Sequence, residues 1–306
     1  MSQPQANEAG QCGIVQSDVS SVDSYVYQPE GRIPEFEQAV ALLSTKHPKL
    51  KVAWPDPVPH LREIRERLKA NGLRCAKLVP DSRRFAEYFW RAEYAVRYPD
   101  YYRGNLPEKA LEHFLVARLL RLKPKKVFLD IASEGSPLPE VVRRLYGCES
   151  YAQDIMYAPG INGDRIGGDA CAMPVPDGMA TSASLTCSIE HFEGDADTRL
   201  FRELVRILRP GGKIVIVPLY LFNEPAIMTD PTYSATLNIP FDGEATIYCA
   251  EGWKNRHGRL YSPESLYSRI VKPCPEMRFK VYQVIGAAEA IHPSSYVRFC
   301  LVGERR

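Results

Sequence analysis

Apolar positions along the chain switch repeatedly between a helical and an extended rhythm. In 34–46, Phe36, Val40 and Leu43 keep helical spacing, and Pro34 suits a first turn. KLKVAW (49–54) predicts a strand. Leu61, Ile64 and Leu68 predict a second helix closed by Gly72, and LRCAKLV (73–79) a second strand. In the aromatic stretch 83–103, Phe85, Phe89, Ala92 and Val96 fall on one face of an expected helix. EKALEHFLVARLLRL (108–122) sets Leu111, Leu115, Leu119 and Leu122 on one side and predicts an amphipathic helix.

From Lys126 the rhythm becomes a regular alternation. KVFLDIA (126–132) predicts a buried strand, LPEVVRRLYG (138–147) a helix and SYAQDI (150–155) a strand. ATSASLTCSI (180–189) alternates like a weaker strand. DADTRLFRELVRILR (195–209) predicts a helix stopped at Pro210, Gly211 and Gly212, and KIVIVPLYL (213–221) a further strand. Strands alternating with helices indicate an α/β, doubly wound, mostly parallel sheet, with chemistry on the loops at the strands' carboxyl ends. Residues 1–24 are polar and aperiodic and predict a disordered tail. Residues 25–105 read as an N-terminal α/β extension with the aromatic helix, and 106–306 as the main domain. Within it 220–260 is a long insertion, which predicts a lid over a pocket.

Charge and composition narrow the function classes. The 306 residues carry 39 basic and 37 acidic side chains, a net +2. That excludes a strong whole-chain electrostatic case for nucleic acid or an anionic membrane. The longest apolar run, 214–222, is interrupted by Pro218, whereas spanning a bilayer takes about 20 residues. The polar N-terminus lacks an apolar signal core, so a cytoplasmic location is expected. Eight cysteines without a CxxC suggest reduced thiols and no metal site. Arginines between aromatics in 83–103 can bind single-stranded nucleic acid. Glu87, Glu93 and Asp100 dilute the charge there, which favours a helix closing over a core or pocket.

Four features carry chemistry, in order. VFLD ends at Asp130 and is followed by IASEGSP; YAQD ends at Asp154, 24 residues later. GGDACAMPVPDG contains Asp169, and SIEHFEGDADTRLFRELVRILRPGGKIVIVPL joins a strand, a helix and a strand. This ordered set resembles the class I S-adenosylmethionine-dependent methyltransferases, in particular the methyltransferase type 11-like group, over roughly 126–221. FKVYQVIG (279–286) and SYVRFCLVG (295–303) extend the resemblance weakly, as the antiparallel pair that ends that fold. It implies a Rossmann-like, seven-stranded sheet and S-adenosylmethionine as cofactor. The implied function is methyl transfer; the favoured reading is transfer at oxygen to a small-molecule or carbohydrate-like acceptor, which the Tyr, Trp and Arg content of 220–260 suits. No nucleic-acid or membrane partner is expected, and a homodimer is admitted.

The resemblance also implies site residues. Asp130, Ala132, Ser133 and Gly135 form the first cofactor loop, where small residues let backbone approach a ligand. Asp154, with Ile155 beside it, would accept hydrogen bonds from a ribose diol. Asp169 and Ala170 would meet the adenine amino edge, and Ser188 completes the cofactor set. The family's D-x-G-x-G-x-G loop departs here: its glycine slots hold Ala132, Glu134 and Ser136, and Thr181 replaces a usual Asp. Glu134 fits its slot only if Gly135 takes the tight position. Glu190 and His191 follow the 180–189 strand, where the acceptor atom should lie. His191 is the leading general-base candidate and Glu190 the second; the other reading of the pair is a brace for the next helix. His113, His257 and Tyr261 rank lower. The altered loop supports one competing class, a catalytically silent binding protein on the same fold. A nicotinamide oxidoreductase would need the GxGxxG fingerprint, which is missing.

Overall fold

Eight strands form the main sheet of the computed structural model, which describes residues 35–56 and 58–306. They are β1 (Arg74–Leu78), β2 (Val127–Ile131), β3 (Glu149–Asn162), β4 (Arg165–Gly167), β5 (Ala180–Thr186), β6 (Leu208–Val217), β7 (Met277–Val284) and β8 (Phe299–Arg305). Their spatial order is β1-β7-β8-β6-β5-β2-β3-β4. The run from β6 to β3 is parallel, and β8 is antiparallel to both β6 and β7. This is the doubly wound, Rossmann-like arrangement, with its terminal antiparallel pair. Six of these strands are read from the pattern of the main domain, and β4, only three residues long, is not. The eighth, β1, comes from the N-terminal extension and pairs parallel with β7, Arg74 opposite Lys280. The expected tail at 1–24 lies outside the described residues.

Burial on both faces explains why β2 reads as an unbroken apolar run. Leu129 and Ile131 enter one core with Leu200, Phe201 and Leu204, while Phe128 enters the other with Leu111, Leu115 and Val141. Among the helices, α1 spans Phe36–Ser44, α2 Leu61–Ala70, α3 Ser82–Ala92, α4 Tyr94–Arg97, α5 Leu106–Leu120, α6 Leu138–Tyr146 and α7 Ala196–Ile207. None of the described helices is long and apolar enough to cross a membrane.

Three expectations change. The aromatic stretch is not one helix: Glu93 takes a left-handed φ of 54°, separating α3 from α4, and Val96 is turned out to 81% exposure. Tyr88 and Tyr94 serve the core, bonding each other at 2.9 Å. α5 is not amphipathic either, since every residue from Glu108 to Ala117 is buried. The 220–260 insertion is no loose lid. With Leu50–Lys51 it forms a second, four-stranded sheet, in the order Leu50–Lys51, Thr246–Cys249, Ala226–Thr229, Gly258–Leu260. Ile247 and Cys249 pack there with Ala39 and Leu43 of α1. Strands of two to four residues are too short to show a period.

The β3–β4 connection is unusual. A parallel crossover normally takes a dozen or more residues and a helix. Here 155–164 contains no helix. β3 turns after Asp154 and returns beside β4, with Ile161 opposite Ile166. The Asn162 amide ties this tongue together by donating to the carbonyls of Ala158 (2.8 Å) and Pro159 (3.2 Å). Gly167 permits the return, because a Cβ there would lie 2.0 Å from the Ala158 oxygen.

Candidate functional site

The central strands β5, β2 and β3 point their carboxyl ends at one place, the usual position for a site in an open α/β sheet. The loop after β2 holds Ala132, Glu134 and Gly135 at φ of 50°, 40° and 73°. Two non-glycine residues thus occupy a left-handed backbone that costs about 1–3 kcal/mol each. Gly135 takes the tight position, the condition set by the sequence, and Ala132 and Glu134 share its left-handed backbone. The strain is held by hydrogen bonds. The Ala132 amide donates to Gln153 Oε1 (3.2 Å), Ser133 to Gln153 O (3.0 Å), Glu134 to Asp154 Oδ2 (2.9 Å) and Ser136 to Ser133 O (2.7 Å).

Of the three candidate carboxylates, Asp154 bonds this loop directly, through the Glu134 amide. Asp130 is fully buried; its Oδ1 accepts from Ser184 Oγ at 2.6 Å, and Oδ2 has no partner. Burial pushes its carboxyl up to about 7. Asp154 is buried and also accepts the Met156 amide at 3.0 Å. Ile155 and Met156 beside it are 70% and 53% exposed. Asp169, half-exposed, accepts from the Cys171 amide at 2.8 Å, and Ala170 is buried. The neighbouring Gly168 carbonyl accepts from Gln153 Nε2 at 2.6 Å, which ties this segment to β3.

Asp130 has a pH signature. The folded carboxyl keeps its proton up to about 7, whereas the unfolded one loses it near 4. Between those values the folded state binds more protons, so stability falls as pH rises. Asp130→Asn should therefore gain on the wild type by about 1.4 kcal/mol per pH unit between 5 and 7, then level off. Urea unfolding of both proteins across that range checks it; a constant difference contradicts the buried, half-partnered carboxyl.

After β5 the chain makes a short turn, Ile189–His191. His191 Nδ1 lies 2.7 Å from the His257 carbonyl, an acceptor only, so Nδ1 carries a proton, and the tautomer this selects has its lone pair on Nε2. The ring stacks on Trp253, with centroids 5.8 Å apart, and Nε2 is 3.8 Å from Glu190 Oε1. Glu190 is buried, which raises its carboxyl, and its Oε2 has no partner. Ser188 Oγ is likewise buried without one. His257 sits behind this pair and donates from Nδ1 to the Glu190 carbonyl at 3.0 Å; burial lowers its pKa to about 3. The other two lower-ranked candidates are engaged elsewhere. His113 bonds Tyr94 (2.7 Å) and Tyr101 (3.2 Å), and Tyr261 donates to Asp197 (2.8 Å).

One group escaped sequence reasoning. Lys109 Nζ, almost wholly buried, donates to Glu112 Oε1 (3.0 Å), Cys187 Sγ (2.7 Å) and Tyr296 OH (3.1 Å), 4.8 Å above the Tyr102 ring. Burial opposes its charge, but the neighbouring Cys187 and Glu112 hold its pKa well above the ordinary lysine value. Cys187, the first residue after β5, sits at φ 47°, with Tyr220 OH 3.7 Å from its sulfur. The available signal was Lys109 and Glu112, one turn apart in a helix otherwise dense in apolar residues. Among the described residues no group of His, Cys, Asp and Glu is arranged to hold a metal.

Residues 129–216 match a family model described as a methyltransferase domain, Methyltransf_11. A solved Pyrococcus horikoshii OT3 protein is 22% identical over 42% of this chain and 60% of its own, with a TM-score of 0.33. An Anabaena variabilis protein, described as a methyltransferase from an antibiotic biosynthesis pathway, is 22% identical over 34% and 43%, with a TM-score of 0.30. The Burkholderia thailandensis 1,6-didemethyltoxoflavin-N1-methyltransferase, solved with 1,6-didemethyltoxoflavin and S-adenosylhomocysteine, is 14% identical over 76% and 92%, with a TM-score of 0.42. No curated protein matches the chain.

Proposed function

We propose, from the premise that this chain carries a class I S-adenosylmethionine-dependent methyltransferase domain with S-adenosylmethionine as its cofactor, that it methylates a hydroxyl of a small-molecule or carbohydrate-like acceptor. The observation that carries this reading is the convergence of loop 132–136, Asp154 and the Glu190–His191 turn at the carboxyl ends of neighbouring strands. The residues suit the cofactor. Asp130 Oδ2 and Ser188 Oγ are buried oxygens with no protein partner, and Ile155 and Met156 offer apolar surface for a flat ring. In this reading Asp154 holds the ribose hydroxyls, Asp169 and Ala170 meet the adenine edge, and Ala132, Ser133 and Gly135 face the rest.

The bound cofactor supplies a methyl group on a sulfur whose positive charge makes it a ready leaving group. Positioning can then contribute about 7–11 kcal/mol of the barrier. A hydroxyl acceptor must still lose its proton. His191 takes it at Nε2, because Nδ1 is committed to the His257 carbonyl, and Glu190 stabilises the resulting imidazolium. Lys109, whose three N–H donors are taken by Glu112, Cys187 and Tyr296, holds Tyr296 beside Cys187 and Tyr220 as a wall of the acceptor side.

A thermal-shift titration tests the cofactor half. S-adenosylhomocysteine at about 100 times its Kd should add about 2.7 kcal/mol of stability, and adenosine nucleotides and NAD far less. A folded sample that shows no shift at millimolar ligand overturns the reading. A second reading, a protein that holds the cofactor without transferring its methyl group, is favoured by one observation: every amide from 132 to 136 already has a protein partner.

A further inference from the structure

The five amides of the cofactor loop are not all held in the same way. Those of Ala132, Ser133 and Glu134 donate to Gln153 and Asp154, in the part of β3 that runs beside β2, with Ile131 opposite Gln153. That of Ser136 donates within the loop. Only Gly135 donates to the tongue: its amide meets the Tyr157 hydroxyl at 3.3 Å, and the same hydroxyl lies 3.1 Å from Ser133 Oγ. Tyr157 therefore places one phenolic oxygen on two adjacent polar groups of a loop read as a ligand cradle.

The tongue is built to release that contact. Strand pairing fixes Gln153, but Tyr157 stands on the bend, between exposed Ile155, Met156, Ala158 and Pro159. Few buried apolar contacts hold such a segment, so it opens at low cost compared with the sheet. Its ring is steadied from one side by the Arg165 guanidinium, 5.1 Å from the ring centre. A ligand hydroxyl or carboxylate could take the Gly135 amide and the Ser133 hydroxyl in place of the phenol.

We propose that Tyr157 sets cofactor affinity by occupying the Gly135 amide and Ser133 hydroxyl in the free protein, and that the cofactor displaces it on binding. This rests on the reading of 132–136 as the cofactor loop. The phenol acts as a competing internal ligand, and breaking its bonds is subtracted from the binding free energy.

The experiment is calorimetric titration with S-adenosylhomocysteine, with stopped-flow association rates, on the full chain. Tyr157→Phe removes the competing oxygen and keeps the ring. It should bind about 3- to 10-fold tighter, the effect of releasing one or two ordinary hydrogen bonds, with the gain in the association rate. Arg165→Gln, which loosens the ring without touching the loop, should shift affinity the same way by less, and decides the matter if the Phe variant fails to fold. Unchanged or weaker binding by Tyr157→Phe overturns the proposal, making Tyr157 a brace or a direct ligand. A wild type that binds no S-adenosylhomocysteine instead removes the cofactor reading beneath it.

Discussion

Changing Asp197 to alanine should lower folding stability by about 3–5 kcal/mol, the usual cost of breaking a buried ion pair. Asp197 is fully buried at the start of α7 and accepts hydrogen bonds from Tyr261 OH (2.8 Å), Arg269 Nε (2.8 Å) and Arg269 Nη2 (2.7 Å). Arg259 Nη1 approaches it to 3.3 Å. Arg259, itself buried, also bonds Asp242 and the carbonyls of Phe192 and Gly194. Without the Asp197 charge, two guanidiniums share one remaining carboxylate, Asp242. The network also joins the second sheet, through Arg259, to the loop that follows His191. Asp197→Asn keeps the shape but not the charge and should recover only part of the loss. Urea unfolding midpoints measure both; a loss under about 1 kcal/mol for alanine would mean that the network holds geometry without adding stability.

The second large effect is kinetic. His191→Gln should lower turnover by about 10²–10⁴, the range expected for losing a general base, with S-adenosylhomocysteine affinity nearly unchanged. Glutamine retains an N–H for the His257 carbonyl but offers no basic nitrogen. If His191 only braces the turn through Trp253 and His257, glutamine keeps most activity and alanine loses stability instead. Release of S-adenosylhomocysteine in a methyl-transfer assay, compared between the two variants, separates the cases. Full activity in the Gln variant would pass the role to Glu190, whose unpartnered Oε2 lies within the same turn.

Local signals carried much of this site. Asp130 could be read because it stands one residue from the end of a buried apolar strand, and Asp154 because it closes the part of β3 that pairs in regular register. Glu190 and His191 could be read because a strand and a helix bracket them. Lys109 and Glu112 could not, because their burial depends on α5 being covered on all sides, a tertiary fact that the leucine spacing concealed. Cys187 looked like one more residue of an alternating strand until its positive φ ended β5. The tongue left no trace in the pattern, since the helix normally found there is simply missing. β1 was visible as a strand but not as a member of the main sheet, because its partner β7 lies far along the chain. The four-stranded sheet failed the same way, its first strand being only Leu50–Lys51.

Those distant pairings bear on how the chain is made. β1 pairs with β7, and Leu50–Lys51 with Ile247–Tyr248, each partner lying about 200 residues downstream. During synthesis from the N-terminus, both early strands emerge long before anything exists for them to pair with. They stay open until the C-terminal third has left the ribosome, while β2 to β6 can already assemble from neighbours. High-separation contacts of this kind slow folding and expose strand edges meanwhile. Charge on the waiting segment fits that interval: β1 carries Arg74 and Lys77 among Cys75, Ala76 and Leu78, side chains that discourage edge-to-edge association. A nascent chain truncated before β7 is thus left with an unpaired basic strand, and the sheet closes at that edge only when the final stretch arrives.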